Sequence, residues 1–135
     1  MEEIKVTFET AKLAKEKGFD WEVNTVFRLE KLDLFDEYDA SFCNYNNSSR
    51  STSCPTQSFL QKWLREVHNI NVEPRNSSAF NPTTRVFTPR KEYKCFVNFL
   101  NKTYEDFIET KYFCSYEEAL EIGLQEGLKL ISNEL

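Results

Sequence analysis

Glycine is scarce in this chain: three residues in 135, at Gly18, Gly123 and Gly127. A glycine-rich phosphate-binding loop cannot be assembled from them, which argues against the common nucleotide-binding loops. Histidine is scarcer still, with His68 alone. It lies 14 residues from the nearest cysteine, so the usual zinc-ligand spacing is absent and a zinc site would have to be assembled from distant positions. The four cysteines, Cys43, Cys54, Cys95 and Cys114, are widely spaced, and none forms a CxxC pair. They read as reduced thiols, with Cys95 and Cys114 behaving as small hydrophobes in or beside strands. No apolar run is long enough to span a bilayer, and MEEIKVTFET has neither the basic start nor the apolar stretch of a secretion signal. The expectation is a cytoplasmic protein without membrane contact. The Asn-x-Ser/Thr triplets at Asn46, Asn47, Asn76 and Asn101 then read as chance matches in polar loops.

What is present is a rich supply of rings. Aromatic residues make up 15% of the chain, 12 of them Phe, against a hydrophobic total of 40%. A disordered chain would lack them. The length suits one domain that buries a core without staples. The net charge of −5 repels free polyanions on average while leaving room for a local basic patch.

Helix signals stand out in three places. In Pro55 to His68, PTQSFLQKWLREVH, the apolar residues Phe59, Leu60, Trp63, Leu64 and Val67 share one face, opposite Gln61, Lys62, Arg65 and Glu66. Pro55 suits the first helical position. In FETAKLAKEK, Thr7 is the expected cap and Gly18 the expected stop. Phe8, Ala11 and Ala14 form the stripe, Leu13 lies to one side, and Lys12, Lys15 and Lys17 face water. In SYEEALEIGLQEGLKLI, Ser115 and Glu118 form a capping box. Ala119, Gly123 and Gly127 then recur every four residues as a small stripe, flanked by Leu120, Leu124, Leu128 and Ile131. Each interior glycine costs about 1 kcal/mol relative to Ala, which points to close packing against a sheet.

Between these helices the pattern is strand-like. Ile4 to Val6 is a lead-in or short strand. Val23, Thr25 and Phe27 alternate with polar neighbours, and Leu29 to Phe35 reads as a second hairpin strand or an irregular turn. Ser41 to Ser53, SFCNYNNSSRSTS, reads as a surface loop that buries little, within a variable insertion at about residues 36–54. Ile70 to Glu73 reads as an edge strand cut off by Pro74, with Arg75 to Thr84 a polar loop and Arg85 to Thr88 a strand before Pro89. Tyr93 to Leu100, YKCFVNFL, alternates Tyr93, Cys95, Val97 and Phe99 with Lys94, Phe96, Asn98 and Leu100. Apolar residues on both faces mark a central strand. Asn101 and Lys102 turn the chain, and Glu105 to Phe113 returns as the hairpin partner. The expected architecture is a single α+β domain: one antiparallel sheet of about four or five strands, covered on one face by the second and third helices with the first alongside.

Reactive constellations are absent from the pattern. His68 and Cys54 lie at opposite ends of one helix, about 20 Å apart at 1.5 Å per residue, too far for a nucleophile and its base. Asp33, Asp36, Glu37 and Asp39 match no calcium loop and read as a solvated acidic face. No cofactor, metal site or catalytic residue is expected. The expected function is binding, with Trp21, Phe35 and Tyr45 as anchors for a protein partner. The alternative is a nucleic-acid or nucleotide binder, using Arg75, Arg85, Arg90, Lys91 and Lys94 with interleaved Phe80, Phe87 and Tyr93. The competing account of that strip is a strand edge protected by charge. A homodimer through an exposed sheet edge is also open.

Two resemblances attach to these blocks. From Pro55 onward the order helix, strands, helix is similar to a double-stranded RNA-binding domain, and SYEEALEIGLQEGLKLI resembles its small-residue final helix. That family sets lysines where this chain has Ser115, Tyr116, Glu117 and Glu118, so the resemblance implies the layout and not the RNA. FETAKLAKEKGFD, PTQSFLQKWLREVHNI and YEEALEIGLQEGLKLI resemble the three blocks of a small uncharacterised family of phages and prophages of gut bacteria. This implies a phage or mobile-element origin and a cytoplasmic life in an infected or lysogenic cell, with no assigned activity or cofactor. Together with the lack of convergent polar chemistry, the expectation is a non-enzymatic accessory protein of phage type.

Overall fold

The computed structural model describes residues 4–29, 35–47, 51–81, 83–100 and 107–131, with the side chains of 28–29, 35–40, 77–81 and 86–91 outside that description. The fold is α+β. Its elements run α1 (Phe8–Glu16), β1 (Val23–Leu29), β2 (Phe35–Cys43), a short 3-10 helix (Tyr45–Asn47), β3 (Ser51–Ser53), α2 (Gln57–His68), β4 (Ile70–Asn81), β5 (Val86–Phe99), β6 (Phe107–Glu109) and α3 (Tyr116–Lys129). The strands form two antiparallel sheets of three, ordered β2-β1-β3 and β4-β5-β6. The single sheet of four or five strands is thus corrected to two smaller ones.

The reason lies in Ser41 to Ser53, which is not the exposed loop that its composition suggests. Ser51, Thr52 and Ser53 are buried and pair with Arg28, Phe27 and Val26. Their polar groups are satisfied from within the segment. The Tyr45 amide donates to Ser53 Oγ at 3.0 Å, the Ser53 amide to Asn46 Oδ1 at 2.8 Å, and Ser51 Oγ to the Tyr45 carbonyl at 2.7 Å. Asn46 Nδ2 also donates to the Phe19 carbonyl at 2.8 Å. Such short polar side chains compete with regular pairing, and here they make burial of a third strand affordable in hydrogen bonds.

The helix caps follow local chemistry. The Thr7 hydroxyl accepts from the Thr10 amide and the Ser115 hydroxyl from the Glu118 amide at 3.1 Å. Gly18 takes φ +91° beyond α1, where a side chain is strained. For α2 the cap is Thr56, whose hydroxyl accepts from the Phe59 amide at 3.2 Å. Pro55 therefore lies outside the helix, and its carbonyl accepts the Val6 amide at 3.0 Å as the lead-in bridges Thr56 through Lys5. Val67 is exposed, although its spacing predicts the buried face. Lys15 and Lys17 do not simply face water: they donate to the carbonyls of Ser51 at 2.7 Å and Ile131 at 2.9 Å.

β4 continues through Pro74 instead of stopping there. β4 is an edge strand, and Pro74 pairs with Cys95. The Cys95 amide and carbonyl turn to Thr110 on the other side, at 2.8 and 3.0 Å. No donor is asked of Pro74, so proline fits the ladder. The expected polar loop from Arg75 is accordingly strand as far as Asn81, and β5 runs unbroken past Pro89. β5 is the central strand of its sheet, as both its faces foretell, and β6 is its hairpin partner. The expected turn at Asn101 and Lys102 lies outside the described residues.

One hydrophobic cluster joins both sheets to the helices. Phe19, Val23 and Phe27 meet Leu60, Trp63 and Leu64 of α2, Ile70, Val72, Cys95 and Val97 of the second sheet, and Leu120, Leu124 and Leu128 of α3. α3 lies on β4 and β5, α2 lies on β4 and against α3, and α1 touches α3 and β3. The glycine stripe is what lets α3 approach: a Cβ on Gly127 would stand 3.0 Å from Val72 and 3.3 Å from Leu64. The inner face of the second sheet is thereby covered, and among the described residues no helix packs on its outer face.

Candidate functional site

Alternation along β4, β5 and β6 sends Ile70, Val72, Cys95 and Val97 inward, all fully buried. It sends Asn71, Glu73, Arg75, Lys94, Phe96, Asn98, Phe107 and Glu109 to the other face. The register sets these side chains in rows: Arg75 opposite Lys94, Glu73 opposite Phe96 opposite Glu109, and Asn71 opposite Asn98 opposite Phe107. Phe96 is the centre. The Arg75 guanidinium stands 4.2 Å above its ring and the Lys94 ammonium 5.2 Å away, with Tyr112 also 5.0 Å from Lys94. Phe107 tilts against Phe96 with ring centroids 5.8 Å apart.

The cations are neutralised where they sit. Arg75 pairs with Glu73 at 3.1 Å and Lys94 with Glu109 at 3.3 Å. Leu100, Phe107 and Tyr112 are each about half exposed. Asn71, Phe96, Asn98, Leu100 and Phe107 line a shallow hollow of about 320 Å³ with Glu73 and Arg75 at its side. The result is an apolar, aromatic floor with mixed charges and amides around it. It has the composition of a protein interface, where aromatic residues and Arg are enriched and the rim is polar.

The basic strip is only partly brought together. Arg75 and Lys94 meet across the ladder. Arg85 is exposed at the β4–β5 turn, in left-handed backbone at φ 56°. The side chains of Arg90 and Lys91 lie outside the description, as do those of Phe80 and Phe87. Tyr93 stacks edge-on with Tyr116 at 6.1 Å. The proposed protein anchors fall elsewhere. Trp21 is half-buried against Phe59, with centroids 5.1 Å apart. Tyr45 packs on the core and donates its hydroxyl to the Ser41 carbonyl. Phe35 opens β2, and its side chain is not among those described.

The reactive candidates separate. His68 is at the last position of α2, half-buried, with its ring 4.7 Å from that of Trp63. Burial lowers its pKa below the ordinary 6.5. Cys54 is buried beside the other end of the helix, its thiol 3.6 Å from the Val6 carbonyl. Cys95 is buried as expected, and burial pushes its thiol up to about 12. Cys114 is exposed, not a core residue. Among the described residues no group of three or more His, Cys, Asp or Glu could hold a metal ion. Asp33 lies outside the described residues, and Asp36, Glu37 and Asp39 are placed only as backbone of β2.

Two features of the structure escape the sequence reading as sites. One is the convergence of Phe96, Phe107, Leu100 and Tyr112. Its signal is the alternation of YKCFVNFL, which already sets Lys94, Phe96, Asn98 and Leu100 on a common face. The other is a carboxylate, Glu121 on α3, that joins three helices. It accepts the Thr7 amide and hydroxyl, each at 3.0 Å, the Thr10 hydroxyl, and Gln57 Nε2 at 2.9 Å. This network explains why Thr10 and Gln57 are buried without loss. The chain matches no protein-family model, no curated protein and no solved structure.

Proposed function

We infer that the protein is a non-enzymatic binding protein whose outer face of β4-β5-β6 docks on another protein. The observation that carries this reading is the Phe96 centre, flanked by Phe107, Leu100 and Tyr112 and ringed by charges that are already paired. Exposed aromatic side chains next to a neutralised polar rim suit a partner that itself carries both signs. A phosphate backbone needs free cations, and Arg75 and Lys94 each carry a carboxylate. Glu117 and Glu118, exposed at the start of α3, add repulsion to RNA. No helix among the described residues is long and apolar enough to cross a membrane. The resemblance of the three helical blocks to a phage and prophage family supplies the setting: an accessory protein in the cytoplasm of an infected or lysogenic bacterium, acting on a host or phage protein.

A photo-crosslinking side chain at Phe107, compared with one at exposed Lys12 on α1, tests this. In infected cells the Phe107 probe is expected to give a discrete protein adduct that Leu100→Asp abolishes, and the Lys12 probe none. Equal adducts from both probes would sink the reading. So would tight binding of single-stranded oligonucleotides by purified protein with a steep salt dependence.

A further inference from the structure

A second surface, independent of the sheet face, lies where the beginning of β1 and the end of β2 meet α2. It is a groove of about 560 Å³. That volume is within the range of sites that enclose a compact ligand or a short run of side chains. Val23 and Phe59 form its apolar wall, and Phe42 stands on its rim. Phe42 is 70% exposed, the most exposed large hydrophobic residue among those described. A phenylalanine held in the open beside a concavity is a ready anchor for an apolar side chain.

The electrostatics of the groove run against those of the chain. The protein carries −5 overall, yet the lining has Lys5, Lys62 and Arg65 against Glu22 alone. Lys62 and Arg65 are three residues apart on α2, so they stand on one face of the helix, and both are exposed. Neither has a carboxylate partner among the described residues, in contrast to the paired Arg75 and Lys94. Arg65 offers a planar fork matched to a carboxylate, and Lys62 a point charge beside it. The positive end of α2 opens on the same groove through Thr56 and Ser58.

We propose that this groove seats an acidic, extended segment of another protein, with its carboxylates on Lys62 and Arg65 and an apolar side chain against Phe42. Charge complementarity selects the occupant. A basic segment would meet two unpaired cations. A long polyanion would run beyond the two cations into the negative field of the rest of the chain, which a short acidic segment does not reach.

The test uses the intact protein and a short fluorescein-labelled peptide alternating Glu with Leu, read by anisotropy, against a counterpart with Lys in place of Glu. The acidic peptide is expected to bind and the basic one not. Binding is expected to weaken at least about tenfold in the K62E/R65E double variant and to weaken as ionic strength rises. F42A is expected to weaken it by a smaller factor, and F107D, on the other face, to leave it unchanged. Both charge-reversed positions are exposed, so an unaltered circular dichroism spectrum is expected to accompany the loss. Equal binding of the two peptides, or no effect of charge reversal, overturns the proposal. So does displacement of the acidic peptide by a single-stranded oligonucleotide that binds more tightly. Self-association by light scattering that K62E/R65E abolishes would assign the groove to a second copy and also overturn it. Failure here leaves the sheet-face reading standing, because F107D and L100D report on that face alone.

Discussion

Cys95 occupies the space that a side chain at Gly123 would fill. A Cβ placed on Gly123 would stand 2.8 Å from the Cys95 Cβ and 3.0 Å from Val72, with the thiol nearer still. The rigid backbones of β5 and α3 hold both sides of that contact. Gly123→Ala would gain about 1 kcal/mol of helix propensity, but overpacking costs about 1–3 kcal/mol. Net destabilisation is therefore expected, visible as a lower urea midpoint. Cys95→Ala combined with Gly123→Ala is expected to lose less than the sum of the two single changes, since the larger part of the clash is removed. A Gly123→Ala variant more stable than the parent would show that α3 does not lie this close to the sheet.

Glu121 supplies a different kind of joint. Its carboxylate accepts from Thr7 and Thr10 at the start of α1 and from Gln57 at the start of α2. Glu121→Ala removes one acceptor from the buried Thr10 hydroxyl and one from Gln57 Nε2, which keeps the Glu117 carbonyl at 3.0 Å, and is expected to cost about 1–3 kcal/mol in all. Glu121→Gln keeps an acceptor oxygen and is expected to cost less. Chemical denaturation of both variants gives the order. A Glu121→Ala protein as stable as the parent would mean that water replaces the carboxylate without loss.

The helices are legible in the sequence because their determinants are local. Thr7, Gly18 and Ser115 act within one turn, and the Ala119-Gly123-Gly127 spacing identifies its packing face without knowledge of the partner. Strand pairing is not local. Ser51 to Ser53 reads as loop because its residues favour turns, and only Asn46 and Tyr45, reaching across the segment, make its burial acceptable. Pro74 reads as a terminator because its harmlessness depends on which way Cys95 points its main-chain groups. The candidate sheet face sits between these cases. Alternation alone sets Phe96 with Lys94, but Arg75 and Phe107 join them only through the register.

His68 sets a pH dependence of stability. Its pKa in the folded protein is lowered from 6.5 by burial beside Trp63. The unfolded chain then binds the proton more readily, so stability rises with pH across the interval between the two values. The contribution is fully present above pH 6.5 and is lost as pH falls through the lower folded value. Chemical denaturation on either side of 6.5 measures it. His68→Phe keeps a ring on Trp63, cannot titrate, and is expected to flatten the acid side of the curve. If the variant follows the same slope as the parent, the dependence belongs to the carboxylates and not to His68.

The cysteines divide by access. Cys43 and Cys114 are exposed, whereas Cys54 and Cys95 are buried, and Cys95 is further protected by a pKa of about 12. The thiolate is the reactive form, so Cys95 is inert for two reasons at neutral pH: it is hidden and it is protonated. A short iodoacetamide pulse on the folded protein is expected to modify Cys43 and Cys114 alone, and the same pulse in denaturant to modify all four. Peptide mass spectrometry assigns the sites. Because Cys95 lies under α3 against Gly123, its protection should fall only when α3 leaves the sheet, so its labelling rate in mild denaturant reports that separation. Rapid labelling of Cys95 in the native protein would contradict the close seat of α3 on which the exposed outer face of the sheet depends.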